Sequence, residues 1–96
     1  VTVDHGPAPT ALLRRREGVV AQVADDEAIL LDIESGSYFA LNSVGGRIWE
    51  LCDGKRSVVE LVTVICDEFD VPADTAKADT LEILEELKKE KLVVEE

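Results

Sequence analysis

Few side chains in this 96-residue sequence could do covalent chemistry: one histidine, His5, and two cysteines, Cys52 and Cys66. General acid–base or nucleophilic work needs a nucleophile, a base and an orienting group within hydrogen-bond reach. His5 stands beside Gly6, Pro7 and Pro9 without such a constellation, so no catalytic role is expected for it. The cysteines are widely separated and have no second pair, which rules out a CxxC redox motif and a zinc set of the usual spacing. They are expected to pack as small buried thiols. No enzyme activity, cofactor or metal is therefore expected, and the chemistry left to the chain is recognition.

Charge narrows the partners. The formal net charge is −11, and it is unevenly placed: residues 1–16 hold Asp4 against Arg14, Arg15 and Arg16, and the remaining residues hold 20 of the 21 acids and seven of the ten bases. Such a body repels phosphate backbones and anionic headgroups, so nucleic acid and membrane surfaces are poor partners unless the three arginines act alone. The start of the chain has no apolar run of the kind a signal peptide or a membrane span needs. A cytoplasmic setting is expected, with the chain a monomer or a weak dimer.

The length and the 46% hydrophobic content suit one domain with one core. Residues 1–15 read as a flexible arm, with Leu12 and Leu13 a possible anchor, and residues 16–96 as the domain. Val19 to Ala24 and Ala28 to Ile33 are two β-rich runs around the turn-forming Asp25-Asp26. Glu34-Ser35-Gly36 is a second tight turn, and Ser37 to Leu41 a third short strand.

Helical signals follow. Asn42 or Ser43 can cap a helix over about Val44 to Leu51, which Asp53-Gly54 should end. Ser57-Val58-Val59-Glu60 is a capping-box pattern, and Val58, Leu61, Val62, Ile65, Cys66 and Phe69 keep the spacing of one buried face. After Val71-Pro72 a third helix is predicted to run to roughly Lys89, with Ala73, Ala76, Thr80, Ile83, Leu84 and Leu87 on its apolar stripe. Three strands and then three helices make an α+β domain, with helices on one sheet face and the first and third strands left as open edges.

The ordered stretches Leu30-Leu31-Asp32-Ile33-Glu34-Ser35-Gly36-Ser37-Tyr38-Phe39-Ala40-Leu41-Asn42, Ile48-Trp49-Glu50-Leu51-Cys52-Asp53-Gly54, Ser57 to Leu61 and Asp79 to Leu87 resemble the PqqD-like family. This family is the recognition element of pathways that mature ribosomally made peptides. The resemblance implies a winged-helix-like fold, a three-stranded antiparallel sheet followed by three helices. It also implies that the leader of a precursor peptide docks as an added antiparallel strand on the third strand, and that partner enzymes do the chemistry. Carried onto this sequence, the docking strand is Ser37, Tyr38, Phe39, Ala40 and Leu41. The facing helix positions are Lys77, Thr80, Leu81, Leu84 and Lys88, with Leu81 and Leu84 as the pocket floor. The free-standing proteins of lasso-peptide pathways, which serve a leader peptidase, are the best match. A chaperone of coenzyme PQQ synthesis, working with a radical SAM enzyme, is the alternative. One departure is that Lys91 stands before Leu92 where the family usually has Gly.

Other readings of the same residues stay open. Tyr38 and Phe39 could simply pack on the two faces of the sheet, since strand neighbours alternate sides. Trp49, the only tryptophan, reads as a core anchor rather than a ligand contact. Lys77, Lys88 and Lys91 would either give the cleft a positive rim suited to acidic leader side chains or pair with neighbouring glutamates. A winged-helix DNA binder is the main competing class. Its recognition helix would carry Asp74, Asp79, Glu82, Glu85 and Glu86 against phosphates and forfeit the counterion-release term. An adaptor that docks on a folded protein through the same edge is the other.

Overall fold

Alternation of apolar and exposed positions builds the main sheet. The computed structural model describes residues 9–24 and 27–96, so the expected Asp25-Asp26 turn lies outside the described residues. Strand β1 spans Leu12–Arg15, β2 Val19–Ala24, β3 Glu27–Asp32 and β4 Tyr38–Asn42; helix α1 spans Ser43–Leu51, strand β5 Asp53–Ser57, helices α2 and α3 Val58–Phe69 and Ala73–Lys89, and strand β6 Val93–Glu95. Strands β2, β3 and β4 form an antiparallel meander in that order, which leaves β2 and β4 at the edges as expected. Ala28, Leu30 and Asp32 of β3 point inward and are buried, whereas Ile29 and Leu31 face out on the side the helices do not cover. Gly36 takes φ 77°, a left-handed conformation glycine adopts without penalty, and its N–H donates to the Asp32 carbonyl at 2.8 Å to close the β3–β4 turn.

The helices begin where the sequence signals them. The Asn42 side chain accepts from the Gly45 N–H at 2.8 Å and caps α1. A Cβ on Gly46 would come within 3.0 Å of the Ala28 Cβ, so the glycine is what lets α1 sit down on β3. The capping box of α2 is complete, with the Glu60 N–H donating to Ser57 Oγ and the Ser57 N–H to the Glu60 carboxylate. Trp49, Ile48, Leu61, Ile65, Leu84 and Leu87 form one core with Leu30 of the sheet. Trp49 is a core residue, as expected.

Three short strands were not foreseen. Leu12–Arg15, expected to belong to a flexible arm, instead form β1, the centre of a second antiparallel sheet of order β5-β1-β6. Leu13 is buried in the core from this strand, which is why the segment is fixed rather than free. Asp53-Gly54, expected only to end α1, opens β5, because its residues pair with Leu12 and Arg14. Residues 1–8 of the expected arm lie outside the described residues.

The three arginines are committed inside the chain. Arg14 pairs with Glu96, and Arg15 donates through Nη1 to the Trp49 and Glu50 carbonyls at the C-terminal end of α1, where a cation also suits the helix dipole. Arg16 reaches furthest: Nη2 lies 2.6 Å from the carboxylate of the buried Asp32, Nε donates to the Lys91 carbonyl at 2.7 Å, and its own N–H donates to the Leu92 carbonyl at 3.0 Å. The hydrogen bond from Arg16 holds the Asp32 carboxyl below its ordinary value, and the same contact raises the guanidinium. These heads are not free to meet phosphate.

Helix α3 ends in a Schellman motif. The Leu92 N–H donates to the Leu87 carbonyl at 2.9 Å and the Lys91 N–H to the Lys88 carbonyl at 3.0 Å, with Lys91 at φ 61°. Lysine therefore occupies the left-handed position that glycine takes without strain. Lys91→Gly is expected to raise the unfolding free energy by about 1 kcal/mol, read as a higher urea midpoint at unchanged slope. A second expectation concerns Arg16. The folded pKa of Asp32 lies below the ordinary 3.8, so the pair's contribution is present above that value and lost as pH falls through the folded pKa. Arg16→Gln should thus be clearly less stable than the wild type at pH 7, and urea titrations repeated at progressively more acid pH should find the gap narrowing as the folded Asp32 carboxyl takes up its proton.

Candidate functional site

The free edge of β4 is the feature around which a site can form, and the ladder register says which groups it presents. The Asp32 N–H donates to the Ser37 carbonyl at 2.8 Å, and hydrogen-bonded pairs alternate along an antiparallel ladder. Leu30↔Phe39 and Ala28↔Leu41 are then the pairs bonded to β3. The N–H and C=O groups of Tyr38, Ala40 and Asn42 consequently point away from the sheet, towards the open edge. Side chains alternate independently of this: Phe39 and Leu41 are half-buried against the core, and Tyr38 and Ala40 are exposed.

Beside this edge runs a groove of about 300 Å³ lined by Tyr38, Phe39, Ala40 and Leu41, by Ile83, Glu86 and Leu87 of α3, and by Leu92. It is continued along the end of β4 by a shallower surface formed with Glu27, Asn42 and Ser43. Four of the five strand positions expected from the sequence line the groove. Ser37 precedes β4, and its N–H turns back to Ser35 Oγ.

The helix positions expected from the sequence lie elsewhere. None of Lys77, Thr80, Leu81, Leu84 and Lys88 lines the groove. With Leu84 at 0° and about 100° per residue, Ile83 falls at about −100° and Glu86 at about −160°, against about +20° for Lys77, about +40° for Lys88 and about +60° for Leu81. The expected residues lie on the core stripe or on the opposite flank. Thr80 and Leu84 are fully buried, and Lys88 reaches across to Glu95 of β6 at 2.8 Å. A helical wheel could not decide between the flanks, because each carries an apolar residue, Leu81 on one and Ile83 on the other. Only the side on which β4 lies settles it.

The two cysteines lie apart in differing surroundings. Burial pushes the Cys52 thiol up to about 12, which keeps it protonated and inert at neutral pH. The Cys66 thiol donates to the Val71 carbonyl at 3.1 Å. Among the described residues no cluster of three His, Cys, Asp or Glu side chains could hold a metal ion, and no helix is long and apolar enough to cross a membrane.

An α+β domain whose three-stranded meander leaves one edge open along the flank of its third helix is the class of protein these features define. The model of the family described as coenzyme PQQ synthesis protein D (PqqD) matches residues 27–93, and the chain belongs to this family. Among solved structures, TbiB1 in complex with the TbiA(beta) leader peptide is 35% identical, with a TM-score of 0.72 over 83% of this chain and 93% of that one. Lasso peptide synthetase B1 complexed with the leader peptide is 23% identical at a TM-score of 0.73, covering 85% of this chain and 96% of that one. The PqqD truncation of Methylobacterium extorquens PqqCD, described as a functional and stand-alone RiPP recognition element, is 22% identical at a TM-score of 0.69, covering 90% and 97%. The last two establish likeness of fold. No curated protein matches the chain by sequence.

The observed placement has a measurable consequence. Leu84→Ala should cost about 2–5 kcal/mol of stability, as for a core leucine. The buried Thr80 hydroxyl has no hydrogen-bond partner among the described residues, so Thr80→Val should be neutral or stabilising by up to about 1 kcal/mol in the same denaturant titration.

Proposed function

We propose that the chain binds the leader segment of a ribosomally synthesised precursor peptide as an added antiparallel strand on β4 and delivers it, without chemistry of its own, to a maturation enzyme. The carrying observation is the conjunction of an open β4 edge with an apolar groove on its flank. Unpaired N–H and C=O groups capture any extended backbone, and pockets for alternate side chains supply specificity. The other edge, β2, is less suited: all but one of its residues are exposed, and the groove lined by α3 lies along β4 alone. The leader peptide present with the 35% identical TbiB1 supports the same reading.

The peptide-contacting residues in this reading are Tyr38, Phe39, Ala40 and Leu41 with Ile83, Glu86, Leu87 and Leu92. The maturation enzyme we assign is a lasso-peptide leader peptidase in the cytoplasm, a reading supported by the structural neighbour named lasso peptide synthetase B1. A role in coenzyme PQQ synthesis beside a radical SAM enzyme is the second reading, and the description of the matching family favours it. Binding of DNA by α3 is disfavoured by its five carboxylates, Asp74, Asp79, Glu82, Glu85 and Glu86.

Ala40→Pro tests the docking mode cleanly. Its N–H faces the open edge, so proline removes a docking donor without removing a bond to β3, and edge strands tolerate proline. In a fluorescence titration at physiological salt, the wild type should saturate with a labelled leader peptide from a precursor encoded beside the chain and should not saturate with random duplex DNA. Ala40→Pro should lose peptide affinity at least about ten-fold while keeping a cooperative unfolding transition. Saturation by DNA alone, or unchanged affinity in Ala40→Pro, would overturn the proposal.

A further inference from the structure

The groove beside β4 is apolar along its floor but holds one charged side chain, Glu86, and no cation. None of the ion pairs among the described residues involves Glu86. Of Lys77, Lys88 and Lys91, the lysines that could have made a positive rim, none lines this groove: Lys77 lies on the far flank of α3, Lys88 pairs with Glu95, and Lys91 stands past the helix end, next to the lining residue Leu92. At the other end of the β4 edge the charged residue is again acidic, Glu27. The chain as a whole carries −11, so its field adds to the local charge.

A strand added to β4 sends every second side chain towards the helices and the others towards the outer face of the sheet. Inward-facing positions two residues apart are therefore read together by the floor of Phe39, Leu41, Ile83 and Leu87 and by Glu86. Resting on the peptide-docking reading above, we infer that the docking segment carries a lysine or arginine at one inward-facing position, set against Glu86, and an apolar side chain at the inward-facing position two residues away. The chain thus selects basic, apolar-anchored leaders rather than acidic ones. Glu86 is a specificity residue: the backbone ladder gives affinity to any extended strand, and the unpaired carboxylate sorts among them.

The test pans a random dodecapeptide phage library against the immobilised wild-type chain and its Glu86→Gln, Glu86→Lys and Glu85→Gln variants. Glu85 is exposed on the face of α3 away from the groove, so it removes the same charge without touching the site. Peptides that fail to bind Ala40→Pro are retained as β4 ligands. Wild type and Glu85→Gln should enrich Lys or Arg two positions from an apolar residue, Glu86→Gln should keep the apolar position and lose the basic one, and Glu86→Lys should enrich Asp or Glu there. A retained peptide should bind Glu86→Gln about three- to ten-fold more weakly than wild type, with a smaller salt dependence. Enrichment of β4 ligands with no basic preference, or with one that survives in Glu86→Gln, overturns this inference and leaves peptide docking standing. Failure to recover any ligand sensitive to Ala40→Pro counts against peptide docking itself and removes the inference with it.

Discussion

Arg16 is the tie between the two sheets. One guanidinium holds the Asp32 carboxylate at the end of β3 and the Lys91 carbonyl beyond α3, and its backbone N–H bonds Leu92. Asp32 is buried on the inward face of the sheet, and a carboxylate there without a partner would carry a desolvation cost that nothing offsets. The groups that Arg16 holds adjoin the groove. Asp32 begins the turn into β4, and Leu92, next to the carbonyl that Arg16 holds, lines the groove's wall.

The proposed function turns an otherwise ordinary edge into a site. Exposed edge strands are a liability, open to any extended chain. Here one edge is placed against an apolar floor, with the outward N–H and C=O groups of Tyr38, Ala40 and Asn42 on one side and Ile83, Glu86 and Leu87 on the other. In the proposed docking, a backbone captured there is read by side chains at the same time as it is bonded.

Local signals were legible wherever the partner of a residue is close in sequence. The meander, the Asn42 cap, the Ser57–Glu60 capping box and the stripe of α2 all appear as read, because hairpins, caps and helices bond within a few residues. Strands β1, β5 and β6 were not legible. Leu-Leu-Arg-Arg, Asp-Gly-Lys-Arg-Ser and Val-Val-Glu have no alternation long enough to mark a strand, and each is a strand only because distant segments meet. The exchange of Gly for Lys at position 91 put the end of α3 in question, yet the Schellman bonds form with lysine at φ 61°. The backbone motif tolerates the left-handed strain that the side chain adds.

By itself the sequence determined the fold class, the meander and the starts of the helices, because periodicity and capping are properties of neighbouring residues. Which flank of α3 faces β4 was decided only by the tertiary structure. Both flanks carry an apolar residue, and the choice between Leu81 with its lysines and Ile83 with Glu86 depends on how the helix packs against the core through Ala76, Thr80, Leu84 and Leu87. That rotation is fixed by contacts with residues remote in the chain, and it places Ile83 and Glu86 beside β4.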